Sequence, residues 1–241
     1  MTAQSTLGRS VGLAAVYIER YAISLVFFYL TFQRVHELLV LIANANPAAG
    51  ATPVIEIIRQ LIWIQLYLYS GVLLLLGRRV KGLPQKPVDI LLPLATTFFY
   101  LAYSTISWFP NWLKQTWYPV GWQTPCVVVG LTLNLIGLWI AIWAAVYLGR
   151  SFGVLIEVRK VVLEGAYKWM RHPMYSGYVC FLIGFALTNL SIAFVTLIPL
   201  HIFLLLYRAR LEEERLAASS PEYAEYRKKT GFIFPKFSQE E

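Results

Sequence analysis

Acidic residues are scarce in this chain. There are 13 Asp and Glu against 21 Lys and Arg among 241 residues, a formal net charge of +8. Cysteine is scarcer still. Cys126 and Cys180 are the two present, both inside apolar runs and without CxxC spacing, so neither a disulfide framework nor a zinc site is expected. They read as small buried hydrophobes. Histidine is limited to three residues, and no metal site is expected. No GxGxxG follows a strand-like run, which excludes a soluble dinucleotide-type Rossmann fold. No short apolar stretch with a small-residue cleavage site opens the chain, so no removable signal peptide is expected. Internal repeats, low-complexity segments and a separate soluble domain are absent too.

What is abundant is apolar. Hydrophobic residues make up 58% of the chain, above the roughly 45–50% of a soluble domain. The mean hydropathy is +0.57. The excess comes in six runs, near Val16–Ala43, Val54–Leu76, Val88–Phe109, Val127–Leu148, Tyr175–Thr188 and Ile192–Tyr207. The first four approach or exceed the ~20 residues that span hydrocarbon. The last two are shorter and are separated by Thr188-Asn189-Leu190-Ser191, a turn sequence. The expectation is an all-α, polytopic membrane bundle of about six spans whose last two form a helical hairpin. Residues 1–148 would hold the N-terminal transmembrane helices, and 149–241 a core of loop, hairpin and C-terminal segment.

Positive charge is confined to alternate connections. Arg78, Arg79, Lys81 and Lys86 occupy one; Arg150, Arg159, Lys160, Lys168 and Arg171 another; seven Lys and Arg follow Tyr207. Asn44–Pro53 and Thr188–Ser191 carry none, and Pro110–Pro125 carries Lys114 alone. This alternation places both termini in the cytoplasm. It also accounts for the basic balance without nucleic acid, which is not expected as a partner. Trp112, Trp117, Tyr118 and Trp122 read as an external interfacial belt. Pro221-Glu222-Tyr223-Ala224-Glu225-Tyr226 offers a proline start and early acids for a cytoplasmic helix.

Two charged clusters flank the hairpin. Arg171-His172-Pro173 opens it, with Pro173 suited to a first helical turn, Tyr175 three residues beyond His172, and Gly165 permitting a tight loop before it. Taken alone, a His-Pro helix start is ordinary. Glu212-Glu213 lies 40 positions after His172. Taken alone, Arg208–Arg215 reads as a solvated helix end with pairs such as Arg210–Glu214. The hairpin changes this, because it returns the chain to the same face and makes His172 and Glu212 neighbours. Arg34 and Glu37 on the first helix, and Glu56 and Arg59 on the second, have the spacing of internal ion pairs.

The ordered set Val161–Tyr167, Arg171-His172-Pro173-Met174-Tyr175-Ser176-Gly177, Glu212–Leu216, Tyr223–Tyr226 and Ile233-Phe234-Pro235 resembles the isoprenylcysteine carboxyl methyltransferase family, which includes phospholipid N-methyltransferase relatives. The resemblance covers about Gly149–Pro235, and it departs at Ala166, where the family usually has Pro. It implies S-adenosyl-L-methionine as methyl donor, in a pocket of hairpin, preceding loop and C-terminal segment. It implies Val162 and Gly165 around the adenine, His172 and Tyr175 at the methionine part, Glu212 and Glu213 on ribose or amino group, and Tyr167 as a further cofactor-binding residue. A carboxylate acceptor would want a buried cation near the methyl, for which Arg208, Arg210 and Arg34 are the candidates, with His36 and Glu37 beside Arg34. The implied partner is a lipophilic or lipid-modified acceptor, most simply a prenylcysteine-type carboxylate. A phospholipid amine, a membrane reductase or isomerase of similar layout, and an inactive scaffold are the alternatives.

Overall fold

The structure is a computed structural model that describes residues 10–11, 13–44, 52–76, 86–99, 102–103, 108–151, 153–156, 161–219 and 221–236. Arg78, Arg79, Lys81, Arg159 and Lys160, on which part of the charge alternation rests, lie outside these residues. Helix α1 (Ser24–Ala43) continues from a π-helical turn, Ile18–Ile23. It pairs with α2 (Thr52–Leu76). Then come the short α3 (Val88–Thr97), the single turn α4 (Asn111–Lys114) and the long α5 (Gln123–Leu148). Helices α6 (Pro173–Thr188), α7 (Ile192–Ser219) and α8 (Pro221–Lys229) complete the chain. Among the described residues the only extended pairing is one bridge, Met170 to Gly231.

Among the described residues four helices are long and apolar enough to cross a membrane: Leu13–Ala43, Glu56–Leu76, Gln123–Leu148 and Ile192–Ala218. Their outer faces carry Leu25, Phe32, Trp139 and Phe203, each 63–69% exposed. Apolar surface of this extent needs lipid to cover it. The protein is an integral membrane protein.

The third expected span is not one continuous helix. Within Val88–Phe109 the helix that opens the stretch ends at Thr97 after 10 residues. Pro93 has no N–H to give Asp89 O, and that carbonyl accepts from Ile156 N at 3.1 Å instead. The last turn is then capped from α7. His201 Nε2 lies 2.9 Å from Thr96 O, and Arg208 Nη1 lies 3.1 Å from Thr96 Oγ1. At the other end the Asp89 side chain, 2% exposed, accepts from Lys86 N and pairs with Arg215 at 2.9 Å. A short helix therefore survives because α7 supplies partners at both of its ends.

The hairpin forms as expected, with its turn at residues 189–191. Its first arm packs mainly on α5 rather than on its own partner. Gly130 meets Gly184, and Gly137 meets Gly177, close enough that a Cβ on Gly137 would lie 2.5 Å from Gly177 O. Small residues let transmembrane backbones approach, and a polar side chain can then bond across. Here Asn134 Nδ2 donates to Phe181 O at 2.6 Å, between the two glycine pairs. The far end of α6 leaves carbonyls without intrahelical donors. Tyr118 Oη donates to Leu187 O, and Arg59 Nη2 to Thr188 O, so the aromatic outer segment and the Glu56–Arg59 pair close the hairpin turn.

At 16 residues α6 is about 24 Å long, short of the ~30 Å hydrocarbon core. Its N-terminus, with His172, is thereby recessed below the bundle end. The 28-residue α7 reaches about 42 Å and overhangs it. The candidate site residues of α6 and α7 sit in that step.

Gly137→Ala is expected to lower stability by about 1–3 kcal/mol through overpacking at a backbone crossing. Gly71→Ala, whose Cβ would meet its nearest atom at 3.2 Å, is expected to cost less. Thermal unfolding in detergent compares them; equal losses would contradict the crossing.

Candidate functional site

The loop before α6 is shaped by its own sequence and by the C-terminal segment. Gly165 adopts φ +60°, and a Cβ there would run into the Tyr147 ring, so glycine is required for the close approach. A 3-10 turn follows, Gly165–Lys168, and then the chain pairs with residues after α8. Arg171 N donates to Gly231 O at 2.8 Å, His172 N to Phe232 O at 3.0 Å, and Gly231 N to Trp169 O at 3.0 Å. Ser176 Oγ donates to Ile233 O, and Tyr226 Oη to Tyr167 O at 2.6 Å. Residues 221–236 therefore form a latch over the loop.

Beneath the latch is a cavity of about 260 Å³. That is roughly twenty times what one water needs on the same measure. One face of α7 lines it from end to end with His201, Leu205, Arg208, Glu212 and Leu216. The spacing is that of a single helical stripe. The solvent-side end is polar. Tyr175 Oη donates to Glu212 Oε1 at 2.6 Å, and Arg208 Nε donates to the same oxygen at 3.0 Å. Among the described residues Glu212 Oε2 has no protein partner. Arg208 is 10% exposed, with its guanidinium 5.7 Å from the Tyr175 ring centroid and Nη2 donating to Val154 O. The deep end is apolar and aromatic, with Phe27, Trp63, Leu66, Phe181 and Leu182.

The expected site residues separate into two groups. Val162, Tyr167, His172, Tyr175, Arg208 and Glu212 all line the cavity. Gly165, Glu213, Arg210 and Arg34 do not. Glu213 is one residue, about 100° of helix, away from Glu212. It faces the start of α6, where it pairs with Arg171 Nε and lies 3.5 Å from Arg227 Nε. His172 Nε2 is 3.3 Å from its Oε1, an electrostatic contact whose direction falls short of a hydrogen bond, so that ring nitrogen is buried without a hydrogen-bond partner. Arg210 is exposed, on the opposite side of α7 from Arg208. Arg34 is taken up by Glu37 at 2.6 Å, itself bonded by Gln60, toward the end of α2 that holds Arg59 and the hairpin turn. That is the end of the bundle away from Glu212.

Burial pushes the Tyr226 phenol up to about 12 and holds Tyr167 and Tyr223 above the ordinary tyrosine range. All three line the cavity and stay protonated at neutral pH, as donors rather than anions. His201 and Tyr103 also line it, and the hydropathy reading gives them no role. The signal was available: an ionisable residue inside a transmembrane run is expensive and marks a functional position.

The geometry fits a ligand with a polar, partly cationic end and an aromatic surface. Glu212 offers a carboxylate oxygen with no partner among the described residues to a hydroxyl pair or an ammonium, and His172 borders the cavity with its Nε2 turned to Glu213. What the fold and cavity define is a polytopic helical protein with a membrane-embedded binding chamber. Residues 125–219 match the phospholipid methyltransferase family model. The chain is 38% identical over 84 residues to protein-S-isoprenylcysteine O-methyltransferase B of Arabidopsis thaliana, covering 33% of this chain and 39% of that one. It is 32% identical over 124 residues to protein-S-isoprenylcysteine O-methyltransferase of Saccharomyces cerevisiae, covering 46% and 49%. It is 33% identical over 124 residues to the cobalt-zinc-cadmium resistance protein CzcN of Cupriavidus metallidurans, covering 48% and 53%. The matches thus span about half or less of these relatives. Through this C-terminal half the chain is similar to the phospholipid methyltransferase family and to the isoprenylcysteine O-methyltransferases.

Removing Glu213 leaves Arg171 buried without its counter-charge, which typically costs about 3–5 kcal/mol. Glu213→Ala is expected to lower the melting temperature and expose residues 221–236 to protease. Glu212→Gln keeps an oxygen for Tyr175 and Arg208 but removes the charge opposite Arg208, so it is expected to lower the melting temperature while leaving residues 221–236 protected from protease. Protection of the tail in Glu213→Ala would remove the latch from the account.

Proposed function

We propose that the protein transfers a methyl group from S-adenosyl-L-methionine to a lipophilic acceptor inside the membrane. One observation carries this reading: a single stripe on α7 joins a polar, latch-covered end to an apolar deep end within one cavity. The polar end suits the cofactor. Glu212 would hold the ribose hydroxyls or the amino group, Tyr167 and Val162 would border the adenine, and His172 and Tyr175 would flank the methionine part. The bound cofactor supplies an electrophilic methyl on a sulfonium. The chain's part is to align the acceptor with that methyl and to exclude water, which can supply much of the rate without a catalytic triad.

Of Arg208, Arg210 and Arg34, Arg208 alone lines the cavity, and it supports an acceptor with a carboxyl group, as the prenylcysteine in the names of the Arabidopsis and yeast relatives would have. Its charge is already shared with Glu212, so it orients a polar group rather than supplying a free positive charge. Arg210 and Arg34 have no part in this reading, given where they lie. A phospholipid amine is the second reading, favoured by the family model that matches residues 125–219. The acceptor would enter sideways from the bilayer, and the cofactor from the cytoplasm, the side on which the loop charges lead us to expect both termini.

S-adenosylhomocysteine is expected to bind the purified protein with a micromolar Kd, about −8 kcal/mol, by calorimetry. Glu212→Gln replaces a charge-assisted bond by a neutral one and is expected to weaken it about tenfold. Labelled cofactor incubated with the protein and a native membrane lipid extract should then mark a lipid-soluble product. No heat and no thermal shift at millimolar ligand would defeat the cofactor assignment.

For orientation, single cysteines replacing Lys114 and Lys228, in a background without Cys126 and Cys180, are expected to react with impermeant reagent only outside and only inside, respectively. Labelling of position 228 in intact cells would reverse the topology.

A further inference from the structure

Deep in the cavity His201 and Tyr103 make a bonded pair that the cofactor reading leaves unused. Tyr103 Oη lies 2.9 Å from His201 Nδ1, and His201 Nε2 lies 2.9 Å from Thr96 O. A carbonyl can only accept, so Nε2 carries the proton and donates it. The ring's partners include no carboxylate, and the neutral tautomer leaves no buried charge unpaired. Nδ1 is then an acceptor, and Tyr103 donates its hydroxyl proton to it. The phenol oxygen is left with lone pairs and no proton for a ligand. Phe99 stacks on the imidazole with centroids 4.5 Å apart, and Phe185 and Phe194 pack on the Tyr103 ring, so both side chains are held in place. Both line the cavity. His201 lies on the Arg208–Glu212 stripe, about 10 Å along the axis from Arg208 and about 16 Å from Glu212. That distance puts the pair beyond the cofactor end, where an acceptor would meet it.

We propose that Tyr103 and His201 form a proton relay for the acceptor, and that the acceptor's reacting group enters neutral and bearing a proton. This rests on the methyl-transfer reading. Such a group is a hydroxyl, a thiol, an uncharged amine or an un-ionised carboxylic acid on an apolar chain. A carboxylate would face the phenol's lone pairs, whereas an X–H group donates to them. The balance is complete. The acceptor's lone pair forms the new bond to the methyl carbon, and the methyl–sulfur bond breaks with its electron pair left on sulfur. The acceptor's proton passes to Tyr103 Oη as the Tyr103 proton passes to His201 Nδ1. One positive charge leaves the sulfonium, and one appears on the imidazole, whose Nε2–H remains on Thr96 O. Tyr103 is the catalytic group, and His201 acts through it.

The test uses the full-length protein, labelled S-adenosyl-L-methionine, and two acceptors with the same chain: farnesyl thiol and N-acetyl-S-farnesylcysteine. His201→Gln keeps a donor for Thr96 O and an acceptor for Tyr103 but cannot take up the proton. Tyr103→Phe removes the relay's entry. Both are expected to lower kcat at least about a hundredfold on whichever acceptor the wild type methylates. KM, S-adenosylhomocysteine affinity and melting temperature are expected to stay near wild type. Turnover within a few-fold of wild type in either variant overturns the relay. So does a loss of ligand affinity or melting temperature that matches the loss of kcat, which would make the pair a structural strut. Wild-type protein that binds S-adenosylhomocysteine but methylates neither acceptor overturns the acceptor class alone. Wild-type protein that fails to bind it overturns the methyl-transfer reading and the relay together.

Discussion

A guanidinium held inside a membrane bundle is the constraint on which the rest of this structure depends. Arg208 is buried where it sits, so its surroundings supply most of its partners. Glu212 balances the charge, Val154 O and Thr96 Oγ1 take the remaining donors, and the Tyr175 ring lies alongside. Each partner comes from a different part of the chain: α7 itself, the loop after α5, the end of α3, and the first turn of α6. One side chain thus draws four segments together around the cavity's polar end. It also explains why α3 can stop after ten residues: its last turn is completed by side chains from α7 rather than by its own continuation.

The same compensation governs how the site tolerates change. Glu212 is both the proposed ligand group and the counter-charge of Arg208. Truncating it would strand a buried cation, so alanine there would report on the fold as much as on binding. Glu213 has no such double duty. It belongs to the latch, with Arg171 and Arg227, and acts on the site by fixing His172 and the cover of residues 221–236.

Much of this was legible in the chain. The turn at Thr188–Ser191 brings His172 and Glu212 together as their spacing suggests, because a hairpin in a membrane has few other ways to close. The proline at the start of α6 and the glycine at 165 did what their backbone preferences require. Other features depend on facing, which a linear pattern does not carry. Whether Glu212 or Glu213 looks into the cavity is a matter of 100° of rotation, fixed only when α6 is placed. The α5–α6 crossing rests on Gly130, Gly137, Gly177 and Gly184, residues that look unremarkable until two helices are laid side by side. Arg34 read as a site candidate because charge inside an apolar run draws attention, yet its level along α1 puts it at the other end of the bundle. Pro93 and His201 were both visible signals, one of a helix that stops early and the other of a buried ionisable group.

The central claim is that one stripe of α7 orders the two reactants, cofactor toward Glu212 and acceptor toward His201. An experimental structure with S-adenosylhomocysteine bound tests it most directly. The account predicts the ribose or amino group against Glu212, under the latch, with the sulfur directed inward past Arg208 toward Leu205 and His201. A ligand bound outside this cavity, or inside it with the sulfur facing the aqueous end, would contradict the account.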